Sequence, residues 1–281
     1  MPDDRSVRLP STDGVSVALH DLGGDGPNVL VAHATGFCAG PYRPLAAGLA
    51  RAGCHVWALD FRAHGDSPRP AGEITWTGMA DDVLAVVDHL GAGPVPAFGH
   101  SMGGAALALA ELRRPGTLSR GVLFEPIIIP EAWRGGAADN PLAAAARKRR
   151  PGFASREAAL ARFAARPPLD VFRADALWGY VDQGLEEQPD GTVVLKCTPD
   201  DEADTYLASG KPEIAQVGAV DVPMLVLLGG RDPGPGPADF APAVADAMPQ
   251  GRAQRYPHLG HFGPFQDPDT VAADAATFLL A

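Results

Sequence analysis

Val95-Pro96-Ala97-Phe98-Gly99-His100-Ser101-Met102-Gly103-Gly104-Ala105 is the stretch on which the reading of this chain turns. Its first part is an apolar run of strand length, and Ala105, Ala108, Leu109 and Leu112 follow at helical spacing. Between the two lies Gly99-His100-Ser101-Met102-Gly103, a Gly-x-Ser-x-Gly pattern. A strand that turns straight into a helix crowds its own backbone. Glycines two residues to either side make room for a bend that presents the serine hydroxyl. The bland alternative is a serine capping an ordinary helix beside a tight turn.

Working outward, Asn28–Ala32 and His55–Asp60 are further strand-length apolar runs, with helical spacing over Pro41–Ala52 and Met79–Leu90. Val7–Leu9 and Ser16–Asp21 read as an opening hairpin turned at Thr12-Asp13-Gly14. On the other side Gly121–Glu125 reads as a strand. The rhythm resumes with a strand at Met224–Gly229, a helix over Ala238–Met248, a strand at Ala253–Tyr256 and a last helix carrying Val271, Ala275, Phe278 and Leu279. Such alternation predicts an α/β fold with a mostly parallel sheet covered by helices on both faces.

From Pro126 to Ala215 the rhythm breaks. Helix-like pieces at Ala143–Arg150, Ser155–Arg166 and Asp170–Gly184 are separated by prolines, with no strand of readable length. About ninety residues are too many for a bare connection. The expected organisation is therefore a core of residues 1–125 and 216–281 and a helical cap of residues 126–215.

The formal net charge of −11 opposes phosphate-backbone binding, so no nucleic-acid partner is expected. Cys38, Cys54 and Cys197 share no short spacing, which disfavours a zinc knuckle or a disulfide framework. No apolar run nears the ~20 residues of a membrane span, and Met1-Pro2-Asp3-Asp4-Arg5 opens no secretory signal. The expectation is a cytoplasmic protein acting on a small molecule, without a membrane partner.

A serine hydroxyl is a weak nucleophile until a base takes its proton and an acid orients that base. Asp232 follows the strand at 224–229, at a C-terminal strand end where open α/β sheets gather their sites. His258 and His261 come one helix and one strand later, giving the chain order Ser101, Asp232, His261. The two histidines could also pair on a metal, but Gly260 between them argues against a helix and no third ligand is evident, so no metal is expected.

Taken together, HATGF (33–37), LDFRAHGDS (59–67), GHSMGG (99–104), LLGGRD (227–232) and GHFGPFQDP (260–268) resemble the α/β-hydrolase-fold serine hydrolases. The resemblance implies an eight-stranded sheet with its second strand antiparallel and a cap after the sixth strand. It also implies a catalytic triad, a backbone oxyanion hole and no cofactor. Position by position, it makes Ser101 the nucleophile, His261 the general base, Asp232 the acid, and the N–H groups of Thr35 and Met102 the oxyanion hole. Ala34 and Ala63 stand where the family usually has glycine; Gly36 can supply the freedom lost at Ala34. Some relatives with rearranged triads draw their acid from the end of the sixth strand, where this chain has Glu125, so Glu125 is the alternative acid.

Phe37, Phe262, Trp133 and Trp178 are the expected pocket residues, and Arg147–Arg150 reads as a solvated helix end. The expected function is a serine hydrolase that forms an acyl-enzyme from an ester, lactone or thioester of a small, largely apolar molecule, or cleaves a ketonic C–C bond. The alternatives are a cofactor-free lyase, cyclase or perhydrolase, and a ligand-binding receptor whose triad is slow.

Overall fold

In a computed structural model that describes residues 5–91, 93–130, 140–230 and 236–281, the apolar runs become one eight-stranded sheet. Its N-terminal part is β1 (Arg5–Pro10), β2 (Ser16–Gly23), β3 (Asn28–Ala32), β4 (His55–Asp60), β5 (Val95–His100) and β6 (Leu118–Phe124). Three short strands, β7 (Gly152–Phe153), β8 (Leu185–Glu187) and β9 (Val193–Leu195), belong to a second sheet, and β10 (Met224–Gly229) and β11 (Gly251–Tyr256) complete the first. The large sheet runs β1-β2-β4-β3-β5-β6-β10-β11; β2 is antiparallel to β1 and β4, and every other pairing is parallel.

The period of two along each strand divides the core between the sheet's faces. Leu30 and Ala32 of β3 join one apolar cluster, with Met224, Val226 and Leu228 of β10; Val29 and Val31 join the other, with Leu225 and Leu227. The first cluster is closed by α2 (Trp76–Leu90) and α3 (Met102–Arg113), the second by α1 (Arg43–Arg51) and the C-terminal helix Pro268–Leu279. No helix among the described residues is long and apolar enough to cross a membrane.

The segment after β6 builds the cap: α4 (Pro141–Arg147), α5 (Arg156–Ala164), α6 (Ala174–Gly184) and α7 (Pro199–Leu207). Asn140, Ser155 and Thr198 start three of these helices by accepting their first free backbone N–H groups. The cap is not wholly helical, because β7, β9 and β8 form a three-stranded antiparallel sheet. Strands of two or three residues are too short for alternation to register, so the sequence pattern passes over them. Where α6 meets the core the backbones nearly touch: a Cβ on Gly179 would lie 2.3 Å from the carbonyl oxygen of Gly40. Lys196 pairs with Asp66, and Arg69 with Asp201 and Asp204, so ion pairs also fasten the cap to the loop after β4.

Candidate active site

The C-terminal ends of β3, β5, β6 and β10 bring the chemistry together. Ser101 sits between β5 and α3 at φ 54° and ψ −111°, a strained backbone for a residue with a side chain, and is 3% exposed. The flanking glycines are sterically required. A Cβ on Gly103 would fall 2.1 Å from the Ala32 carbonyl oxygen, and one on Gly99 2.6 Å from Cα of Gly104. Neighbouring backbone holds the bend: Ser101 N–H donates to the Phe124 carbonyl at 2.9 Å, and Ile127 N–H donates to the Ser101 carbonyl at 3.1 Å.

His261 meets Ser101 from the loop after β11. Its Nε2 lies 3.2 Å from Ser101 Oγ, and its Nδ1 lies 2.6 Å from Oε2 of Glu125. The second Glu125 oxygen accepts the Gly229 N–H at 2.7 Å, and the Glu125 backbone N–H donates to the Leu227 carbonyl at 2.9 Å. This carboxylate, 1% exposed, therefore joins β6, β10 and the histidine loop. A carboxylate oxygen accepts from an imidazole N–H, an arrangement in which Nδ1 donates to Glu125 and the lone pair of Nε2 faces the serine.

That geometry brings the alternative acid, Glu125, to His261. Asp232 lies outside the described residues; among the described residues, Glu125 contacts Nδ1. Glu125 achieves this because its backbone turns left-handed, at φ 43°, immediately after β6, which aims the side chain toward His261. His258 takes no part; its side chain is 61% exposed and 3.9 Å from Asp267.

Facing the serine is the loop after β3. His33 Nδ1 lies 2.8 Å from the Ala34 carbonyl, which also accepts the Phe37 N–H at 3.2 Å, and His33 Nε2 accepts the Phe61 N–H at 3.0 Å. Both ring nitrogens are thus used by a neutral imidazole, and burial pulls its pKa down to about 3. The Ala34 N–H donates to the Tyr42 hydroxyl at 3.0 Å. Gly36 supplies the left-handed residue, at φ 78°, and Ala34 is not among the residues with positive φ, so alanine is tolerated there. Among the described residues, neither the Thr35 nor the Met102 amide N–H finds an acceptor within the protein.

The residue before the serine is also engaged. His100 Nδ1 lies 2.8 Å from the Tyr42 hydroxyl and His100 Nε2 lies 2.8 Å from the His261 carbonyl, with burial holding its pKa well below the usual histidine range. In the sequence neither His100 nor Tyr42 stands out as a site residue, and no short motif links the two.

Phe37 and Phe262 lie in one aromatic cluster, the Phe37 ring being 5.9 Å from that of Phe262, 5.1 Å from Tyr180 and 5.3 Å from Phe265. Trp178 does not join them. It is 40% exposed on the outer side of α6, whose buried face is Ala176, Leu177, Tyr180 and Val181. Trp133 lies outside the described residues. The basic run is only partly solvated: Arg149 turns inward to pair with Glu202 and donates to the Tyr180 hydroxyl at 2.7 Å. Glu202 in turn rests on the loop after β3, where a Cβ on Gly36 would meet its carboxylate at 2.9 Å. The His20, Asp60 and Asp66 ligand atoms gather within 4.8 Å, but Asp60 already accepts the Ala39 N–H at 2.7 Å, the Asp66 N–H at 2.8 Å and a contact from His20 at 2.9 Å.

Comparison with known proteins fits this geometry. Over 98–99% of its length the chain superposes on E-2-(acetamidomethylene)succinate hydrolase with a TM-score of 0.84 at 21% identity, and on a malate-bound thermophilic esterase from Thermogutta terrifontis with a TM-score of 0.75 at 24% identity; these cover 100% and 98% of those chains. At such identities the likeness speaks for the fold. A 75-residue stretch, 27% of the chain, is 36% identical to the sn-1-specific diacylglycerol lipase ABHD11 of Mus musculus and spans only 24% of that relative's length. The sequence profile of the alpha/beta hydrolase family matches residues 29–275, and the chain belongs to that family.

Proposed function

We propose that this alpha/beta hydrolase is a serine hydrolase that cleaves an ester, lactone or thioester of a small, largely apolar molecule through an acyl-enzyme on Ser101. One observation carries the reading: an unbroken line of contacts from Ser101 Oγ to His261 Nε2 at 3.2 Å and from His261 Nδ1 to Glu125 at 2.6 Å. In this reaction His261 Nε2 takes the hydroxyl proton as Oγ attacks the carbonyl carbon. The tetrahedral oxyanion is received by the Thr35 and Met102 N–H groups, each such donor lowering the barrier by about 3 kcal/mol. The imidazolium, steadied by Glu125, gives its proton to the leaving group, and water reverses the sequence to free the acid. A cluster of Phe37, Phe262 and Tyr180 beside the loop suits an apolar acyl group, and the neighbours that are esterases agree with an ester substrate.

The test is a fluorophosphonate probe combined with turnover of 4-nitrophenyl butyrate. Labelling that maps to Ser101, turnover, and loss of both in Ser101→Ala are the expected results. A folded protein that takes no label overturns the nucleophile assignment, and labelling without turnover favours the receptor reading.

A further inference from the structure

We propose that Tyr42 and His100 are positioning residues that fix the spacing between the oxyanion-side loop and the base. The proposal rests on the serine-hydrolase reading above and goes beyond it, because neither side chain touches the reacting atoms. Four groups stand in line: Ala34 N–H is 3.0 Å from Tyr42 Oη, Tyr42 Oη is 2.8 Å from His100 Nδ1, and His100 Nε2 is 2.8 Å from the His261 carbonyl oxygen.

The direction of each hydrogen bond is forced by chemistry. A backbone N–H can only donate, so Tyr42 accepts from Ala34. A carbonyl can only accept, so His100 Nε2 carries the proton and donates to His261. A neutral imidazole then has an unprotonated Nδ1, which is what the Tyr42 O–H requires as its acceptor. Every donor and acceptor in the line is satisfied with a single tautomer and no charge.

Its two ends lie at the two sides of Ser101. At one end, tethering the Ala34 N–H holds the residue whose carbonyl, in turn, belongs to the same peptide group as the Thr35 N–H. His33 and the Phe37 N–H hold that carbonyl from the other side, so the Thr35 N–H direction is fixed. At the other end, holding the His261 carbonyl fixes the backbone from which the imidazole projects toward Ser101. The line is fully enclosed: Tyr42 and His100 are each 0% exposed, with the His100 ring 5.4 Å from Phe265 and 5.6 Å from Phe124. Away from water, such hydrogen bonds hold their geometry against thermal motion more firmly than exposed ones.

Tyr42→Phe keeps the ring and removes only the hydroxyl. Measured with 4-nitrophenyl butyrate and normalised to sites titrated by a fluorophosphonate, kcat falls by about 10- to 100-fold while KM stays within about threefold. Affinity for phenylboronic acid, which forms a tetrahedral adduct with the serine, weakens by a similar factor. A kcat per site within twofold of the parent, or a change in KM alone with boronate affinity intact, overturns the proposal. Should Tyr42→Phe fail to fold, a second pair decides: His100→Gln, which retains one donor and one acceptor, is expected to keep at least about tenfold more kcat than His100→Leu, and equal rates overturn the proposal. Ser101→Ala run alongside keeps the two levels apart, since normal hydrolysis by that variant ends the serine-hydrolase reading itself, whatever Tyr42 does.

Discussion

Replacing Glu125 by glutamine preserves shape and volume while changing what His261 Nδ1 meets. In the parent, Oε2 accepts from Nδ1 at 2.6 Å and Oε1 accepts from the Gly229 N–H at 2.7 Å. A glutamine has one carbonyl oxygen for these two positions. The Gly229 N–H can only donate, so the amide oxygen is drawn to it and the NH2 group faces His261. Nδ1 must then become the acceptor, the ring proton moves to Nε2, and the lone pair that should receive the serine proton is gone. A wrong tautomer of this kind costs about 10⁴-fold in kcat, or about 5.5 kcal/mol of transition-state stabilisation. KM changes little, because Glu125 is 1% exposed and its two oxygens are already engaged. The thermal midpoint also moves little, since one hydrogen bond is kept and a buried charge is removed. The assay is steady-state hydrolysis of 4-nitrophenyl butyrate with phosphonate-titrated site concentrations, set beside Asp232→Asn, the other acid the sequence offers. A Glu125→Gln enzyme of near-parental kcat beside an Asp232→Asn enzyme reduced by orders of magnitude would refute the reasoning.

Gly103→Ala forces a Cβ to within 2.1 Å of the Ala32 carbonyl oxygen and 2.8 Å of the His33 carbonyl oxygen, both backbone; the variant should lose phosphonate labelling and its cooperative melting transition, and a parent-like melt with full labelling would contradict this. Trp178→Ala removes a 40% exposed ring and should leave kcat/KM unchanged, whereas Phe37→Ala empties a buried aromatic cluster and should lower stability by about 3 kcal/mol while raising KM for apolar esters, both read from urea unfolding and initial rates. Stability should fall on acidification from about pH 6.5: burial holds His33 down to about 3 and holds His64 and His100 below the usual value of 6.5, so below that pH the unfolded chain binds protons that the folded one refuses. His33 alone gives a slope of about 1.4 kcal/mol per pH unit below pH 6.5, His64 and His100 add in the same direction, and Asp60, lowered to about 2, adds a further loss once the pH drops below about 4; urea midpoints that stay level from pH 7 to pH 5 would exclude this.

The fold was legible because its strands are apolar over five or six residues and its helices carry apolar faces. Asn28–Ala32 and Met224–Gly229 are buried on both faces of the sheet, and their composition alone marks them. The small cap sheet escaped because β7, β8 and β9 are two or three residues long. It packs against α5 and α6, contacts that no local pattern records. The exposed placing of Trp178 on α6 was hidden for a related reason. Helical spacing tells which residues share a face, but on a helix with alanines and glycines between its large side chains it does not tell which face the sheet covers.

Within the site, legibility followed sequence distance. Ser101 and its glycines lie within five residues and so show as one motif, although the backbone that crowds Gly103 is that of Ala32, far away in the chain. The acid is different. Glu125 and His261 are 136 residues apart, and a carboxylate at the end of either β6 or β10 could approach the same imidazole nitrogen. Two features of the folded chain bring Glu125 there, namely the left-handed turn at φ 43° and the Gly229 N–H that donates to its second oxygen at 2.7 Å. The first depends on the path the chain takes out of β6 and the second on a neighbour 104 residues away. The Tyr42–His100 line obeys the same rule more strictly, since its links span 8, 58 and 161 residues and each polar group in it would pass singly as an ordinary core residue. Motifs thus name the atoms that react, and only the assembled sheet names the atoms that hold them in place.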